Sequence, residues 1–387
     1  MHGHALMRVL ITALAFIAVA MAPVRAQPVF DTKAQHAILI DFDSGTVLFE
    51  KAADEPTPPA SMAKLMVAEY VFRELKNGRL SMDDEFSVSE YAWRTGGASS
   101  GGSTMFAQLN SRIRLEDLLR GMLVQSGNDA SIIIAEGIAG SELAFADLMN
   151  RRAKEIGLEN SVFRNATGLH DPEQHVTVRD LAFLARHIIR EYPDLYKIFS
   201  EPEFTWNKIT QQNRNPLLRA GIGADGLKTG YVKESGYGLT ASAIANTQRL
   251  ILSVNGFSSA REREAETRKL MEWGFRSFRQ VTVFDADEVV AEASVYGGEQ
   301  GRVPLKADGP VRVLLPRTGD LDLKARAVYE GPLMAPVEAG KQVGHLRIWD
   351  GDRLIQETPL TTAAEVGTGR LHQRALDALG ELLLGWL

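Results

Sequence analysis

Residues 58–66 read Pro58-Pro59-Ala60-Ser61-Met62-Ala63-Lys64-Leu65-Met66, with a serine and a lysine three positions apart. The two prolines stop any earlier helix, and apolar side chains recur at helical spacing over residues 62–75. We therefore predict a helix there, with Ser61 in its first turn. Positions i and i+3 share a helix face, so the Ser61 hydroxyl and the Lys64 amine should lie within reach. The N–H groups of that turn have no partner inside the helix and can hold an anion. Ser61 as nucleophile, Lys64 as possible base and these N–H groups as oxyanion site are therefore available from four residues.

This pattern is weak when it is taken alone. At ordinary residue frequencies, Ser-x-x-Lys arises by accident about once in a chain of this length. The alternative interpretation is a serine that caps the helix and a lysine that is solvated. Motifs further along the chain have to decide between the two.

The bulk composition limits the class of protein. The chain has 387 residues, 45% of them hydrophobic and 24% charged, which is typical of a soluble protein of two or three domains. The net charge of -6 disfavours a general nucleic-acid binder. The chain contains no cysteine. Disulfides, a thiol nucleophile and cysteine-based metal sites are therefore excluded.

The N-terminus predicts export. Residues 9–22 are almost wholly apolar and follow Arg8, and small residues precede position 27. This pattern is typical of a signal peptide over residues 1–26, cleaved after Ala26. The alternative is an uncleaved anchor, although the apolar run is short for a membrane span.

Residues 27–280 are predicted to form an α/β domain with a helical insert. Its first hairpin, strands 38–42 and 46–49, turns at Asp43-Ser44-Gly45. Strands flank a middle region rich in helices, so the sheet must join distant segments. The further predicted strands are 237–245 and 249–256, and the further predicted helices are 115–122, 131–138, 143–156, 177–192 (capped by Thr177) and 262–278.

Two further regions follow the α/β domain. Residues 281–362 show short alternating runs split by Gly, Pro and Asp, which predict a small all-β domain. Residues 363–387 are predicted to be a linker and an amphipathic helix with Leu and Trp on one face. That helix can lie in a membrane interface or dock on its own domain, and its weakly basic polar face leaves both open.

Three motifs in order point to one chemistry: Ser61-Met62-Ala63-Lys64, Ser126-Gly127-Asn128 and Lys228-Thr229-Gly230. Such a set is found in penicillin-binding proteins and class A β-lactamases. With the blocks at 124–130, 212–215 and 225–230, the sequence resembles a D-alanyl-D-alanine carboxypeptidase of the low-molecular-mass penicillin-binding protein group. The resemblance covers nearly the whole mature chain.

The resemblance implies the fold and the location. The fold would be an α/β (α+β) penicillin-binding-protein-like domain with a helical insert, then a small all-β domain and a C-terminal amphipathic helix. The protein would be periplasmic and attached to the surface of the inner membrane by that helix. Its partners would be peptidoglycan stem peptides and β-lactams, with no cofactor, no metal ion and no nucleic acid.

The resemblance also assigns the reaction to named residues. Ser61 would attack the carbonyl between two D-alanines and form an acyl-enzyme. Lys64 would be the base, if burial and the nearby charge of Lys228 keep its amine neutral. Ser126 would pass a proton to the leaving D-alanine, and Asn128 would fix Lys64 or the substrate amide.

The remaining assignments concern substrate binding. Lys228 and Thr229 of the Lys228-Thr229-Gly230 motif would hold the terminal carboxylate. Arg263 would assist them, and Arg261 is an alternative to Arg263 for this role. The N–H groups of Ser61 and Tyr231 would form the oxyanion hole. Some relatives carry His where this chain has Tyr231, so a side-chain role there is left open.

Alternative functions stay open at this point. A β-lactamase of the same fold is one, although no Glu-x-x-Leu-Asn pattern lies between residues 126 and 228. A D,D-endopeptidase is a second, and a non-catalytic wall scaffold is a more remote third. A metal site formed by His170, Asp171, Glu173 and His175 is a weaker possibility, because polar residues are common in such turns.

Overall fold

The structure is a computed structural model that describes residues 30–318 and 321–371. The predicted signal peptide, residues 1–26, lies outside the described residues. So does nearly all of the predicted amphipathic helix, since nothing after residue 371 is described.

A five-stranded antiparallel sheet forms the centre of the first domain, in the order β2-β1-β9-β8-β7. The pairing joins strands from both ends of the domain, as predicted, because β1 pairs with β9 over residues 36–41 and 250–255. β7 is an edge strand of this sheet. The five strands are β1 (His36–Asp41), β2 (Val47–Lys51), β7 (Ala224–Val232), β8 (Gly236–Ala245) and β9 (Gln248–Phe257).

Helices cover both faces of the sheet and fill the segment between β2 and β7. The structure adds α2 (Glu90–Gly96), which was not predicted, and two short antiparallel strand pairs. One pair joins β3 (Glu85–Ser87) and β4 (Arg112–Arg114), which flank α2, and the other is a tight hairpin of β5 (Glu203–Trp206) and β6 (Ile209–Gln212). The helices are α1 (Lys64–Lys76), α2 (Glu90–Gly96), α3 (Leu115–Leu123), α4 (Asn128–Ala139), α5 (Glu142–Glu155), α6 (Val178–Glu191), α7 (Pro193–Tyr196) and α8 (Ala260–Ser277).

The sheet separates two hydrophobic cores. Ile38 and Ile40 of β1 pack into the core that contains α1 and α6. Ala37 and Leu39 point the other way, into the core that contains α8. This alternation is the period-two pattern of a strand buried on both faces.

Ser61 precedes α1 rather than lying inside it. Residues Ala60–Ala63 form a 3-10 turn, and the α-helix begins at Lys64. The prediction placed Ser61 in the first turn of an α-helix, whereas the structure has a tighter 3-10 turn there. Pro58 and Pro59, whose φ angles are fixed, set the direction in which the chain enters this turn. Strand β7 lies against this turn, where a Cβ added to Gly230 would come within 3.0 Å of the Ala60 Cβ.

The second domain is all-β and has its own core. Its six-stranded sheet has the order β14-β16-β17-β12-β11-β15, beside a β10–β13 ribbon. Its strands are β10 (Phe278–Phe284), β11 (Ala291–Tyr296), β12 (Arg302–Lys306), β13 (Val311–Pro316), β14 (Leu323–Tyr329), β15 (Leu333–Met334), β16 (Gln342–Asp350) and β17 (Arg353–Thr362).

Two details differ from the boundaries drawn on the sequence. β10 begins at Phe278, directly after α8, so a boundary after residue 280 falls within a strand. Residues 363–369, predicted to be linker, pair with the β domain: the Val366 N–H donates to the Val337 carbonyl at 2.9 Å, and the Gly369 N–H donates to Gly297 at 2.9 Å. Short runs of this kind carry too little periodicity to be recognised as paired segments.

A buried carboxylate joins α4 to the segment before it. Asp129 has no exposed surface. It accepts hydrogen bonds from Thr104 Oγ1 at 2.6 Å, from the Met105 N–H at 2.9 Å and from the Ala107 N–H at 3.0 Å. These bonds fix the segment that precedes the Ser126-Gly127-Asn128 motif in space.

We expect Asp129→Ala to lower the free energy of unfolding of the first domain by roughly 3 kcal/mol or more, because several buried donors lose their acceptor. Urea unfolding measures the change. The matched control is Asp147→Ala, an exposed helical aspartate, which should stay within about 0.5 kcal/mol of the parent. Equal stabilities for the two variants would contradict this assignment.

Candidate active site

The Ser61 hydroxyl and the Lys64 amine lie together, with Oγ and Nζ 3.0 Å apart. Lys64 has no exposed surface. Its Nζ also lies 2.7 Å from Asn128 Oδ1 and 3.0 Å from the Thr167 carbonyl oxygen. The three oxygens come from the serine turn, from α4 and from the irregular segment before α6, so they hold the amine in one orientation.

Burial changes the chemistry of this amine. The pKa of Lys64 is lowered to about 7, mainly by burial and further by the positive charge of Arg214, while Asp129 and Glu142 act in the opposite direction. A neutral amine is therefore well populated near neutral pH, and a neutral amine can accept a proton.

A second buried lysine faces the other side of the site. Lys228 Nζ donates to Ser126 Oγ at 2.8 Å and to the Thr229 carbonyl at 3.2 Å. Burial lowers the pKa of Lys228 well below its ordinary value, and the charges of Lys64, Arg214 and Arg263 lower it further. A charge on Lys64 therefore disfavours the charged form of Lys228.

These groups line one cleft of about 620 Å³. Ser61, Ser126 and Asn128 lie on its walls, together with Thr229, Gly230 and Tyr231 of β7. Lys64 and Lys228 lie behind these walls and are bonded to the two serines. Further lining residues are Gly101, Gly102, Ser103, Leu169, Arg214, Tyr237, Ala260 and Arg263.

One end of the cleft is basic and aromatic. Arg263 lines it and is 9% exposed, whereas Arg261 is exposed on the same helix. The Arg263 guanidinium lies 5.8 Å from the Tyr237 ring centroid, and its Nε is buried without a hydrogen-bond partner among the described residues. Tyr231 packs on Tyr237 with centroids 4.2 Å apart. Together with Arg214, this end can receive a carboxylate.

Comparison with known proteins agrees with this geometry. A family model for D-alanyl-D-alanine carboxypeptidases matches residues 21–258, more than half of the chain. This chain belongs to the D-alanyl-D-alanine carboxypeptidase family. A second model, for the C-terminal domain of penicillin-binding protein 5, matches residues 278–368.

Individual members of the family are similar over most of their length. The chain is 37% identical to D-alanyl-D-alanine carboxypeptidase DacD of Salmonella typhimurium, over 94% of this chain and 93% of that protein. It is 39% identical to DacC of Escherichia coli, over 88% and 86%. Penicillin-binding protein 5 of Haemophilus influenzae superposes with a TM-score of 0.78 at 36% identity, covering 87% of this chain and 98% of that structure.

This carboxypeptidase shows no metal cluster in the part of the chain that the structure describes. Of the four residues considered for one, Glu173 pairs with Arg164 at 3.2 Å, and Asp171 Oδ1 accepts from the Glu173 N–H at 2.9 Å. His175 lies in a backbone bridge with Val162. These contacts account for the cluster of polar residues as turn structure.

Two features of the carboxypeptidase site were missed by sequence reasoning. Arg214 was noted only as part of a block at 212–215, without a role, yet it is the positive group that lowers the pKa of Lys64 beyond the effect of burial. The Thr167 carbonyl is a backbone atom and leaves no mark on side-chain identity. The position of Arg214 inside a block that resembles the family could have predicted its place in the site. The contact of Lys64 with a backbone carbonyl could not be predicted, because any residue type supplies that group.

The Thr167 segment lies very close to the serine turn. Gly168 has φ +80°, and a Cβ added there would lie 1.8 Å from the Ala60 carbonyl oxygen. The Lys64 contact to Thr167 therefore depends on glycine at the next position.

We expect Gly168→Ala to lower the rate of acylation by a fluorescent penicillin by about 100-fold, because the added methyl must push Thr167 away from Lys64. The control is Gly157→Ala, where φ is +81° and no atom lies within 4 Å. It has the same backbone strain without the clash. Similar rates for both variants would show that the close approach is not required.

Proposed function

We propose that this serine peptidase removes the terminal D-alanine from peptidoglycan pentapeptide stems through an acyl-enzyme on Ser61, and that penicillin acylates the same residue. The observation that carries the proposal is the 3.0 Å separation of Ser61 Oγ from Lys64 Nζ. It is supported by the effect of burial, which lowers the pKa of Lys64 to about 7.

The first step is acylation. Ser61 Oγ attacks the carbonyl carbon of the penultimate D-alanine while its proton passes to the neutral Lys64 amine. The unpaired edge of β7 can pair with the extended peptide as an added strand. The N–H groups of Ser61 and Tyr231 then stabilise the negative oxygen of the tetrahedral intermediate.

Collapse of that intermediate breaks the peptide bond. The proton that Lys64 took from Ser61 passes through the Ser126 hydroxyl to the leaving D-alanine nitrogen, which returns Lys64 to its neutral form; Ser126 Oγ accepts a hydrogen bond from Lys228 at 2.8 Å. Thr229, Lys228 and Arg263 hold the terminal carboxylate, with Gly230 giving the backbone room to approach the serine turn. Asn128 fixes the Lys64 amine through its 2.7 Å contact. Water then cleaves the ester and releases the shortened stem and free Ser61.

We expect Ser61→Ala to abolish labelling by fluorescent penicillin, because the bond forms at that hydroxyl. Lys64→Ala should fold normally and lose about 10²–10⁴-fold in cleavage of a peptide ending in D-Ala-D-Ala, the usual cost of losing a general base. Gel fluorescence and release of free D-alanine measure the two effects. Labelling of Ser61→Ala would reject Ser61 as the nucleophile, and full cleavage by Lys64→Ala would reject Lys64 as the base.

The pH dependence follows from the sign of the pKa shift. Below the lowered pKa of Lys64 the amine is protonated and cannot accept the serine proton. We expect the acylation rate constant to rise with pH and to reach half of its plateau near pH 7. Stopped-flow acylation from pH 5 to 9 measures this. A half-maximum above about pH 9, near the ordinary lysine range, would contradict a neutral base.

Mass spectrometry of products from pentapeptide muropeptides separates the possible reactions. Loss of one alanine from monomers is the expected result. Conversion of cross-linked dimers to monomers would instead indicate an endopeptidase, and fast turnover of penicillin would indicate a β-lactamase.

We further propose a signal peptide over residues 1–26, a catalytic domain that ends with α8, a β domain that begins with β10 at Phe278 and includes the paired residues 363–369, and membrane association through the residues after 369. Within residues 30–318 and 321–371, no helix is long and apolar enough to cross a membrane. The experiment compares the mature chain with a version ending at residue 369 for co-sedimentation with anionic lipid vesicles. Equal binding of the two would reject the tail as the attachment.

A further inference from the structure

A carboxylate on α5 holds the segment that contacts the Lys64 amine. Glu142 is 9% exposed, and its Oε1 accepts from the Ala166 N–H at 2.9 Å. Its Oε2 accepts from the Tyr91 hydroxyl of α2 at 2.8 Å. The residue after Ala166 is Thr167, whose carbonyl lies 3.0 Å from Lys64 Nζ. Two hydrogen bonds, the Ala166–Thr167 backbone and a third hydrogen bond therefore connect Tyr91 to the amine.

Among residues 30–318 and 321–371, Glu142 is the acceptor of the Ala166 N–H, whereas the following turn has its own internal bonds. Asn165 Oδ1 accepts from Thr167 Oγ1 at 3.0 Å and from the Gly168 N–H at 2.7 Å. Those bonds shape the turn internally and do not tie it to another element. Asn150 of α5 holds the chain further upstream, accepting from the Phe163 N–H at 2.8 Å and donating to the Phe163 carbonyl at 2.7 Å. Glu142, supported by Tyr91, supplies the contact that lies directly beside Thr167.

We propose that Glu142, supported by Tyr91, is a positioning residue that places the Thr167 carbonyl and thereby aims the Lys64 amine at Ser61. The proposal rests on the function proposed above, because it concerns the base of that reaction. Glu142 does not touch the reacting atoms. It acts through the Ala166–Thr167 backbone.

The charge of Glu142 gives this residue a second, measurable effect. The groups that act on the pKa of Lys64 come from several elements: Arg214 lowers it, and Asp129 of α4 and Glu142 of α5 raise it. Lys228 of β7 also faces the site, and the charge of Lys64 helps to lower the pKa of Lys228. Removing the Glu142 charge alone must therefore lower the pKa of Lys64, because Glu142 is one of the two carboxylates that raise this pKa against the effects of burial and Arg214.

The space around Glu142 indicates that variants at this position will fold. Tyr91, Glu142 and Thr167 line a cavity of about 300 Å³ that also contains Leu169 of the catalytic cleft. A truncated side chain at position 142 would leave space open to water rather than a dry void. The fold should survive, since water can satisfy the groups that lose a partner.

The test measures penicillin acylation at Ser61 from pH 5 to 9, resolved into the non-covalent binding constant and the acylation rate constant. Glu142→Ala should lower the rate constant by about tenfold or more with little change in binding, because the amine is no longer held in line. Tyr91→Phe should give a smaller fall, since the carboxylate keeps its bond to Ala166.

Glu142→Gln is the conservative variant. Its amide oxygen can accept from Ala166 and its amide nitrogen can donate to the Tyr91 oxygen, so both bonds are kept while the charge is lost. We expect a plateau rate close to that of the parent and a half-maximum shifted to lower pH by roughly half a unit. A purely structural role for Glu142 would not shift the profile.

Glu136→Ala is the matched control, because Glu136 also binds the α2 region, through Ser89 Oγ at 2.6 Å, without contacting residues 166–168. Parental rates in Glu142→Ala, or equal losses in Glu142→Ala and Glu136→Ala, would overturn the proposal. An unshifted profile in Glu142→Gln would also overturn it. Failure of the proposed function is distinguishable, because then the parent protein itself would not be acylated at Ser61.

Discussion

The whole site depends on one unfavourable arrangement, a lysine amine that is held out of water and has no carboxylate hydrogen-bonded to it within the described part of the chain. Lys64 is fully buried and meets three oxygens, two of which are neutral acceptors on Asn128 and Thr167. Burying an ammonium ion costs several kcal/mol unless an opposite charge compensates. The protein avoids that cost by favouring the neutral amine, and the neutral amine is the form that can take a proton from Ser61.

The fold is arranged so that this amine stays dry and correctly aimed. The serine turn, α4 and the segment at 165–169 meet around it, and β7 closes the opposite side with a second buried lysine. Glycine at 168 and at 230 lets backbone approach the turn from both sides. Burial and the charge of Arg214 disfavour the charged forms of both lysines. In the mechanism proposed above, the substrate carboxylate binds beside Arg263 at the basic end of this cleft.

Much of the fold was accessible from local patterns. Thr177 was predicted to cap a helix, and its side chain accepts from the Asp180 N–H at the start of α6. The hairpin at 38–49 and the strands 237–245 and 249–256 were recognisable because their apolar residues repeat with a clear period. The short helix α2 and the pairing of residues 363–369 were not, because a few residues define no period and their stability comes from contacts to distant segments.

The sequence by itself determined which groups are candidates for the site: three motifs in a fixed order contain two serines and two lysines, and side-chain chemistry limits what these can do together. Only the tertiary structure decided the distances and the protonation state. The Thr167 carbonyl, the Arg214 charge and the Glu142 carboxylate lie 103, 150 and 78 positions from Lys64 along the chain. Burial and Coulomb interactions depend on separation in space, which sequence spacing does not encode.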